Sequence, residues 1–148
     1  MEHLADAVAF FDIGNTLAAV SPSPSGDGIE LAVFPEVPPA LGALRDRGVR
    51  LGVISDRGSI PADEVNRALA TAGLWEFLTP ELVVYGRKDS PRVFELAAQR
   101  AAAPAPGCRL LFVGEDAGER AQAQLAGFLV AERPVLALAV LEQEAAPS

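Results

Sequence analysis

The stretch VAFFDIGNTL, residues 8–17, joins a run of uncharged residues directly to a single carboxylate, Asp12. The apolar run predicts a short buried β-strand, and the Gly-Asn pair predicts the turn that ends it. A buried strand with Asp12 at its carboxyl end places that carboxylate where open α/β sheets bind their ligands. An Asp in this position is also a common turn former or helix N-cap, so residues farther along the chain must decide between the two roles.

The composition is that of one globular domain. The chain has 148 residues, of which 50% are hydrophobic and 22% are charged, and this length suits a single core. Its formal net charge of -8 argues against nucleic acid as a partner, because phosphate backbones require clustered Lys and Arg. A small phosphorylated substrate, which needs only local positive charge or a metal, is compatible with that charge.

Cysteine and histidine usage narrows the chemistry further. The only cysteine, Cys108, has no second cysteine with which to form an internal disulfide, and the only histidine, His3, lies near the N-terminus. This argues against catalysis by histidine and against His-rich zinc sites. The start of the chain lacks the basic region of a secretion signal, and no apolar run approaches the ~20 residues of a membrane span. We expect a cytoplasmic protein without a membrane partner, either a monomer or a homodimer.

Strand and helix patterns alternate along the rest of the chain. Aliphatic runs predict strands at 49–54, 82–85, 109–113, 128–130 and 135–138, with helices between the first four. The Ser/Pro/Gly-rich region 17–34 predicts a flap, either a loop or a small β-hairpin, and we expect 142–148 to be a mobile tail. The alternation predicts an α/β fold, a single Rossmann-like three-layer domain over 1–148 with a mainly parallel central sheet.

Polar residues follow four of the predicted strands in chain order. They are Asp12, Ser55, Lys88, and the acidic cluster Glu115, Asp116 and Glu119. Because the carboxyl ends of parallel strands meet at one edge of a sheet, we expect these side chains to lie close together. A carboxylate nucleophile, a hydroxyl, an ammonium group and acids that hold Mg²⁺ are the components of a phosphoryl-transfer site.

Four segments resemble, in order, the four motifs of the haloacid dehalogenase-like (HAD) superfamily. They are FFDIGNTL (10–17), LGVISDRG (51–58), YGRKDSPRVFELA (85–97) and LLFVGEDAGERAQAQLAGF (110–128). The resemblance implies that Asp12 is a nucleophile that becomes an aspartyl-phosphate, that Ser55 binds phosphate, and that Lys88 is the lysine of the family's third motif. It also implies a Mg²⁺ cofactor held by Asp12, the backbone carbonyl of Gly14, and the acids Glu115, Asp116 and Glu119.

The sequence departs from the family pattern in two motifs. Gly14 stands where the family's phosphatases carry a second Asp, which protonates the leaving group and then activates water. Glu115 and Glu119 stand where Asp is usual, which lengthens each reach by one methylene. The intervals between motifs leave no room for a cap domain, so we expect a capless, open site.

The sequence therefore predicts a Mg²⁺-dependent phosphatase, slowed by Gly14, that acts on a phosphorylated small molecule or macromolecule. Two alternatives stay open: a catalytically degenerate HAD domain that binds a ligand or partner, and dehalogenase-type chemistry at carbon, in a branch that also lacks the second Asp. Simpler roles stay open for single residues. Ser55 can be a turn residue, Lys88 a solvated lysine, and the acidic cluster a favourable helix N-terminus.

Overall fold

Strands and helices alternate along the protein, as described by a computed structural model over residues 3–26, 28–104 and 106–145. The strands are β1 Ala7–Phe11, β2 Ala18–Pro22, β3 Ile29–Val33, β4 Arg50–Ser55, β5 Val83–Tyr85, β6 Arg109–Val113 and β7 Leu129–Ala131. The helices are α1 Val37–Asp46, α2 Ala62–Thr71, α3 Arg92–Ala102, α4 Ala117–Leu125 and α5 Pro134–Ala145. Two short 3₁₀ turns, Trp75–Phe77 and Pro80–Leu82, lie between α2 and β5.

The central sheet has the strand order β5-β4-β1-β6-β7, and each neighbouring pair is parallel. The predicted α/β fold with a parallel sheet is confirmed. All five residues of β1, in the middle, are buried. This strand contains no polar residue because helices cover both of its faces, as is usual for parallel sheets.

Two hydrophobic cores, one on each face of the sheet, make the three layers. On one face α1, α2 and α5 contribute Leu41, Leu69 and Leu141. On the other face α3 and α4 pack over an aromatic group that includes Phe94 and Phe112, whose ring centroids are 5.0 Å apart. The sheet is therefore held rigidly from both sides, which fixes the positions of its carboxyl ends.

The C-terminal region corrects two predictions. Residues 135–138, predicted as a strand, belong to α5, and so do 142–145 of the predicted mobile tail; residues 146–148 lie outside the described part of the chain. A short apolar run does not reveal its period, so strand and helix cannot be separated by pattern alone. Here Pro134 begins the helix, and Ala137 and Leu141, four residues apart, are both buried against the sheet.

The flap over 17–34 is an antiparallel hairpin formed by β2 and β3. In the sequence the hairpin and α1 come between β1 and β4, and the hairpin strand β3 packs beside α2. The approach is close, since a Cβ built on Gly28 would lie 2.9 Å from Oε2 of Glu64. None of the described helices has both the length and the apolar character that crossing a membrane requires.

Gly52, in the middle of β4, is a position where the packing requires the absence of a side chain. A Cβ built there would lie 2.3 Å from the carbonyl oxygen of Leu82 and 2.9 Å from the ring of Phe10. We expect Gly52→Ala to lower the free energy of unfolding by at least about 3 kcal/mol, because the first overlap is with backbone. Urea denaturation measures this change.

The matched control is Gly42→Ala in α1, where a Cβ meets no atom within 4 Å. This variant is expected to gain about 0.5–1 kcal/mol, since Ala is the better helix former. Equal stability of the two variants would contradict the packing described for β4.

Candidate active site

The candidate site lies at the point in the sheet where the strand order reverses. From β1 the chain continues to β4 and β5 on one side, whereas β6 and β7 lie on the other. Ligands of open α/β sheets bind in the crevice outside the carboxyl ends at such a point. A cavity of about 290 Å³ occupies it, and its walls include Asp12, Gly14, Ser55, Lys88 and Glu119.

A buried ammonium group joins two of these acids. Nζ of Lys88 lies 2.6 Å from Oδ1 of Asp12 and 3.0 Å from Oε1 of Glu119, and only 4% of the Lys88 side chain is exposed. The ammonium also lies 5.7 Å from the ring centroid of Phe112. A buried lysine needs such partners, because an unpaired charge in the interior is costly. The solvated-lysine alternative for Lys88 is therefore wrong.

The two oxygens of Asp12 have different surroundings. Oδ1 accepts hydrogen bonds from Nζ of Lys88 and, at 2.9 Å, from the backbone N–H of Ile13. Within the described part of the chain, Oδ2 has no hydrogen-bond partner. The bonds to Oδ1 fix the orientation of the carboxylate, and Oδ2 is left as the oxygen available to attack a substrate or bind a cation.

Glu119 is the least satisfied group of the site. Its buried Oε1 contacts Lys88 as an ion pair, yet no described residue gives that oxygen a well-directed hydrogen bond. Burial raises the pKa of Glu119 above its usual value, the nearby charges of Asp12 and Asp116 also raise it, and Lys88 acts in the opposite direction. This carboxylate is therefore placed to gain from an additional positive charge.

The other two predicted acids are differently placed. Asp116 is the N-cap of α4, where its Oδ1 accepts a 2.9 Å hydrogen bond from the backbone N–H of Glu119. It lines a second, polar cavity of about 380 Å³, which also borders Lys88 and Glu119. Glu115 is exposed and lines neither cavity. Of the acidic cluster, Asp116 therefore has the helix-terminus role that the sequence left open. Metal binding by Asp116 and by Glu115 stays a prediction.

Oxygen donors for a hard cation are present, although few. Asp12 and Glu119 contribute carboxylates to the cavity, which Gly14 also lines, and Oε1 of Glu119, which has an ion pair with Lys88 but no well-directed hydrogen bond from a described residue, favours an added cation. Among the described residues, no three His, Cys, Asp or Glu side chains stand close enough to hold a metal by themselves. Mg²⁺ is often bound by one or two carboxylates plus substrate phosphates, so this set fits a cation that shares a phosphate ligand.

The turn after Asp12 is made by Asn15 rather than by Gly14. Asn15 has φ 62, and the carbonyl of Ile13 accepts hydrogen bonds from the N–H groups of the next turn, residues 16–18. Gly14 itself lies outside the left-handed region, and a Cβ built on it would meet only Cγ2 of Val20, at 3.6 Å. The backbone therefore does not require glycine at position 14.

Several residues of the site carried no recognised signal in the sequence. Val20 and Ile29, from the hairpin, line the cavity, as does Asp56 directly after Ser55. Only weak features of the sequence indicate that these residues line the cavity. Asp56 adjoins a strand end, and the hairpin alternates apolar and polar residues. Arg120, in α4, donates a 2.8 Å hydrogen bond to the carbonyl of Gly114 and so holds the loop after β6.

The two arginines beside the site have local partners. Arg57 lines the cavity and donates to the carbonyl of Ile60 at 2.8 Å. Arg87 forms an exposed ion pair with Asp89 at 3.0 Å and borders the second cavity. Both can contribute positive potential at the entrance, and exposed pairs of this kind are individually weak.

Solved structures resemble this chain over most of its length. A HAD-superfamily hydrolase from Ehrlichia chaffeensis matches with TM-score 0.63 at 11% identity, covering 97% of this chain and 98% of that one. A protein from Vibrio cholerae assigned as a 3-deoxy-D-manno-octulosonate 8-phosphate phosphatase gives 0.56 at 15%, with coverages of 95% and 86%. D,D-heptose 1.7-bisphosphate phosphatase from B. bronchiseptica, complexed with magnesium and phosphate, gives 0.54 at 16%, with coverages of 94% and 99%. The chain therefore has the haloacid dehalogenase-like fold.

Comparisons at the level of sequence add nothing to this result. No protein-family model matches the chain, and none of the curated proteins matches it significantly.

A half-buried phenol connects α2 to the sheet. Tyr85 ends β5 and pairs with Ser55 of β4, and its hydroxyl donates a 2.6 Å hydrogen bond to Oδ1 of Asn66 in α2. Burial raises the pKa of Tyr85 to about 12, and the positive charge of Arg57 opposes this shift. The contact helps to keep α2 beside the cavity.

We expect the ultraviolet absorbance of the folded protein to report a tyrosine titration with a midpoint of about 12. Tyr85 is the only tyrosine in the chain, so the signal has one source, and urea-unfolded protein should titrate near ~10. Because the folded-state pKa is the higher one, the stability linked to Tyr85 is complete below pH ~10 and is lost as the pH rises toward 12. Coincident titrations of folded and unfolded protein would show that the phenol is solvated.

Proposed function

We propose that this protein is a phosphatase that hydrolyses phosphate monoesters through a phosphorylated Asp12. The observation that carries the proposal is the 2.6 Å pair between Lys88 and Asp12 at the carboxyl end of the sheet, inside a cavity that also contains Ser55. A carboxylate nucleophile beside an ammonium and a hydroxyl is the set that phosphoryl transfer requires. The fold shared with structures described as phosphatases supports the same activity.

The first step follows from the unequal oxygens of Asp12. Oδ1 is held by Lys88 and the N–H of Ile13, so Oδ2 attacks phosphorus. The Oδ2–P bond forms, the P–O bond to the leaving group breaks, and the electron pair leaves with that oxygen. In the second step a water oxygen bonds to phosphorus, the Oδ2–P bond breaks, and inorganic phosphate and the free Asp12 carboxylate result.

Lys88 and Ser55 are expected to bind the phosphoryl oxygens during both steps. Lys88 is already ordered by two carboxylates, so its charge needs little rearrangement when a phosphate arrives. Ser55 lines the same cavity. A preorganised cation and a residue with a hydroxyl donor at one cavity support the binding of a phosphate there.

Magnesium suits this proposal as a cofactor. When bound, Mg²⁺ supplies positive charge that offsets the repulsion between a phosphate dianion and the Asp12 carboxylate. Asp12, the carbonyl of Gly14 and Glu119 would hold it, with Glu115 and Asp116 as further candidate ligands.

Gly14 favours a second possibility, that of a binding protein derived from such an enzyme. The residue offers no proton donor, and the methyl group of Val20 lies over it. In that case the site would bind a phosphorylated small molecule or macromolecule without turnover. The two possibilities predict different results for the variants below.

Replacement of the nucleophile tests the mechanism directly. We expect Asp12→Asn to lower the hydrolysis of p-nitrophenyl phosphate, in the presence of Mg²⁺, by at least ~10³-fold, because the amide is nearly isosteric and hardly nucleophilic. The control is Asp63→Asn, which removes an exposed carboxylate of α2 that lines no described cavity and should leave the rate unchanged. Parent-level activity in Asp12→Asn would refute the mechanism, and a parent protein without activity would favour the binding protein.

Gly14→Asp tests whether the missing acid limits the rate. The structure accepts a side chain at this position, since the Cβ makes only one ordinary contact. We expect the variant to fold and to gain up to ~10²–10⁴-fold on alkyl phosphates, whose leaving groups need a proton, with a smaller gain on aryl phosphates. Gly14→Asn has nearly the same shape without the acid and should show no gain. A folded Gly14→Asp protein with no gain on alkyl phosphates would show that this side chain does not limit the enzyme.

A further inference from the structure

The residues that line the cavity around Asp12 fall into two chemical groups. One group is polar and includes the residues assigned to phosphate, together with Asp56 and Arg57. The other group is aliphatic and consists of Ile13, Val20, Ile29, Ile60 and Val65. A phosphate ester bound at Asp12 therefore has aliphatic side chains in the same cavity with which its leaving group can make contact.

Val20 is an aliphatic residue of this group that lies beside Gly14. It lies in β2, between Ala19 and Ser21, and remains 45% exposed although it is a large apolar residue. Its Cγ2 is 3.6 Å from the point where a Cβ of residue 14 would stand. The hairpin thus places a methyl group next to the position from which a side chain at residue 14 would extend.

Three further aliphatic residues line the same cavity as Val20, namely Ile29, Ile60 and Val65. Ile29 comes from β3 of the same hairpin, Ile60 precedes α2, and Val65 lies in its first turns. The hairpin and α2 approach closely, as the short distance between position 28 and Glu64 shows. The hairpin on one side, and α2 with the turn before it on the other, therefore supply aliphatic residues to the same cavity.

We propose that the substrate is an aryl phosphate monoester whose ring packs against the wall formed by Val20, Ile29, Ile60 and Val65. The proposal rests on the phosphatase function above and specifies its substrate class. A phenolate is a stable anion, so the P–O bond can break without a proton from the protein; the electron pair stays on the phenolate oxygen, which takes its proton from water. A polyhydroxylated leaving group would instead bury hydroxyls against aliphatic side chains without hydrogen-bond partners.

The test uses two phosphonates that cannot be hydrolysed, phenylphosphonate and methylphosphonate, with binding measured by calorimetry with and without Mg²⁺. We expect phenylphosphonate to bind at least ~10-fold more tightly, the scale of small apolar groups in hydrophobic pockets. Val20→Thr keeps the shape and β-branching of valine but adds a hydroxyl, and should reduce this ratio several-fold.

The matched control is Val33→Thr, the same change on β3 at a residue paired with Ala18 and outside the cavity. It should leave the ratio unchanged, even if the hairpin loses stability. Equal binding of the two phosphonates by the parent protein, or equal effects of both variants on the ratio, would overturn the proposal.

A comparison that needs no variant covers the case in which Val20→Thr does not fold. The parent protein should bind 4-methylphenylphosphonate more tightly than 4-carboxyphenylphosphonate, because a carboxylate against the aliphatic wall loses its hydration. The reverse order would overturn the proposal.

Failure of the phosphatase function is recognised separately. Phenyl preference with no hydrolysis in the parent protein refutes turnover but supports the apolar subsite. Hydrolysis through Asp12 without phenyl preference refutes only the aryl assignment.

Discussion

The ion pairs of Lys88 with Asp12 and Glu119 are the interaction on which the arrangement of the site depends. The partners come from three different parts of the sheet, after β1, after β5 and in the first turn of α4, and Lys88 is 76 residues from Asp12 in sequence. Without the ammonium the two neighbouring carboxylates would repel each other, and without the carboxylates the buried ammonium would be an unpaired charge in the interior. The carboxyl ends of β1, β5 and β6 therefore have to meet for the site to be stable.

The fold and the central part of the site could be predicted because their signals are local and repeated. The strands β1, β4, β5 and β6 are mainly apolar runs that end in or precede polar residues, and a parallel sheet brings such ends together regardless of the loops. Asp12, Ser55 and Lys88 were assigned to one site on that basis, and the structure places all three around one cavity. Their catalytic roles are part of the proposal, whereas their proximity is an observation.

The remaining features depend on contacts that a pattern does not contain. An apolar run such as 135–138 fits a strand or a helix equally well until the layer on which it packs is known. Asp116 and Glu119 look alike in the sequence, yet the geometry of the first turn of α4 uses one carboxylate as the N-cap and directs the other toward Lys88. Val20 could not be assigned to the cavity, because its role depends on how the hairpin folds back over the turn at Gly14.

The conformation of the turn after Asp12 does not account for the glycine at position 14. The positive φ of the turn belongs to Asn15, and a side chain at Gly14 would make one ordinary contact, so folding does not demand glycine there. The general acid that a side chain could supply is worth ~10²–10⁴-fold only when the leaving group needs a proton. A leaving group that is stable as an anion removes that need, and an aliphatic neighbour such as Val20 favours a leaving group that is also apolar. Under the aryl phosphate proposal Gly14 and Val20 therefore suit the same leaving group, whereas the water of the second step still lacks a base at position 14.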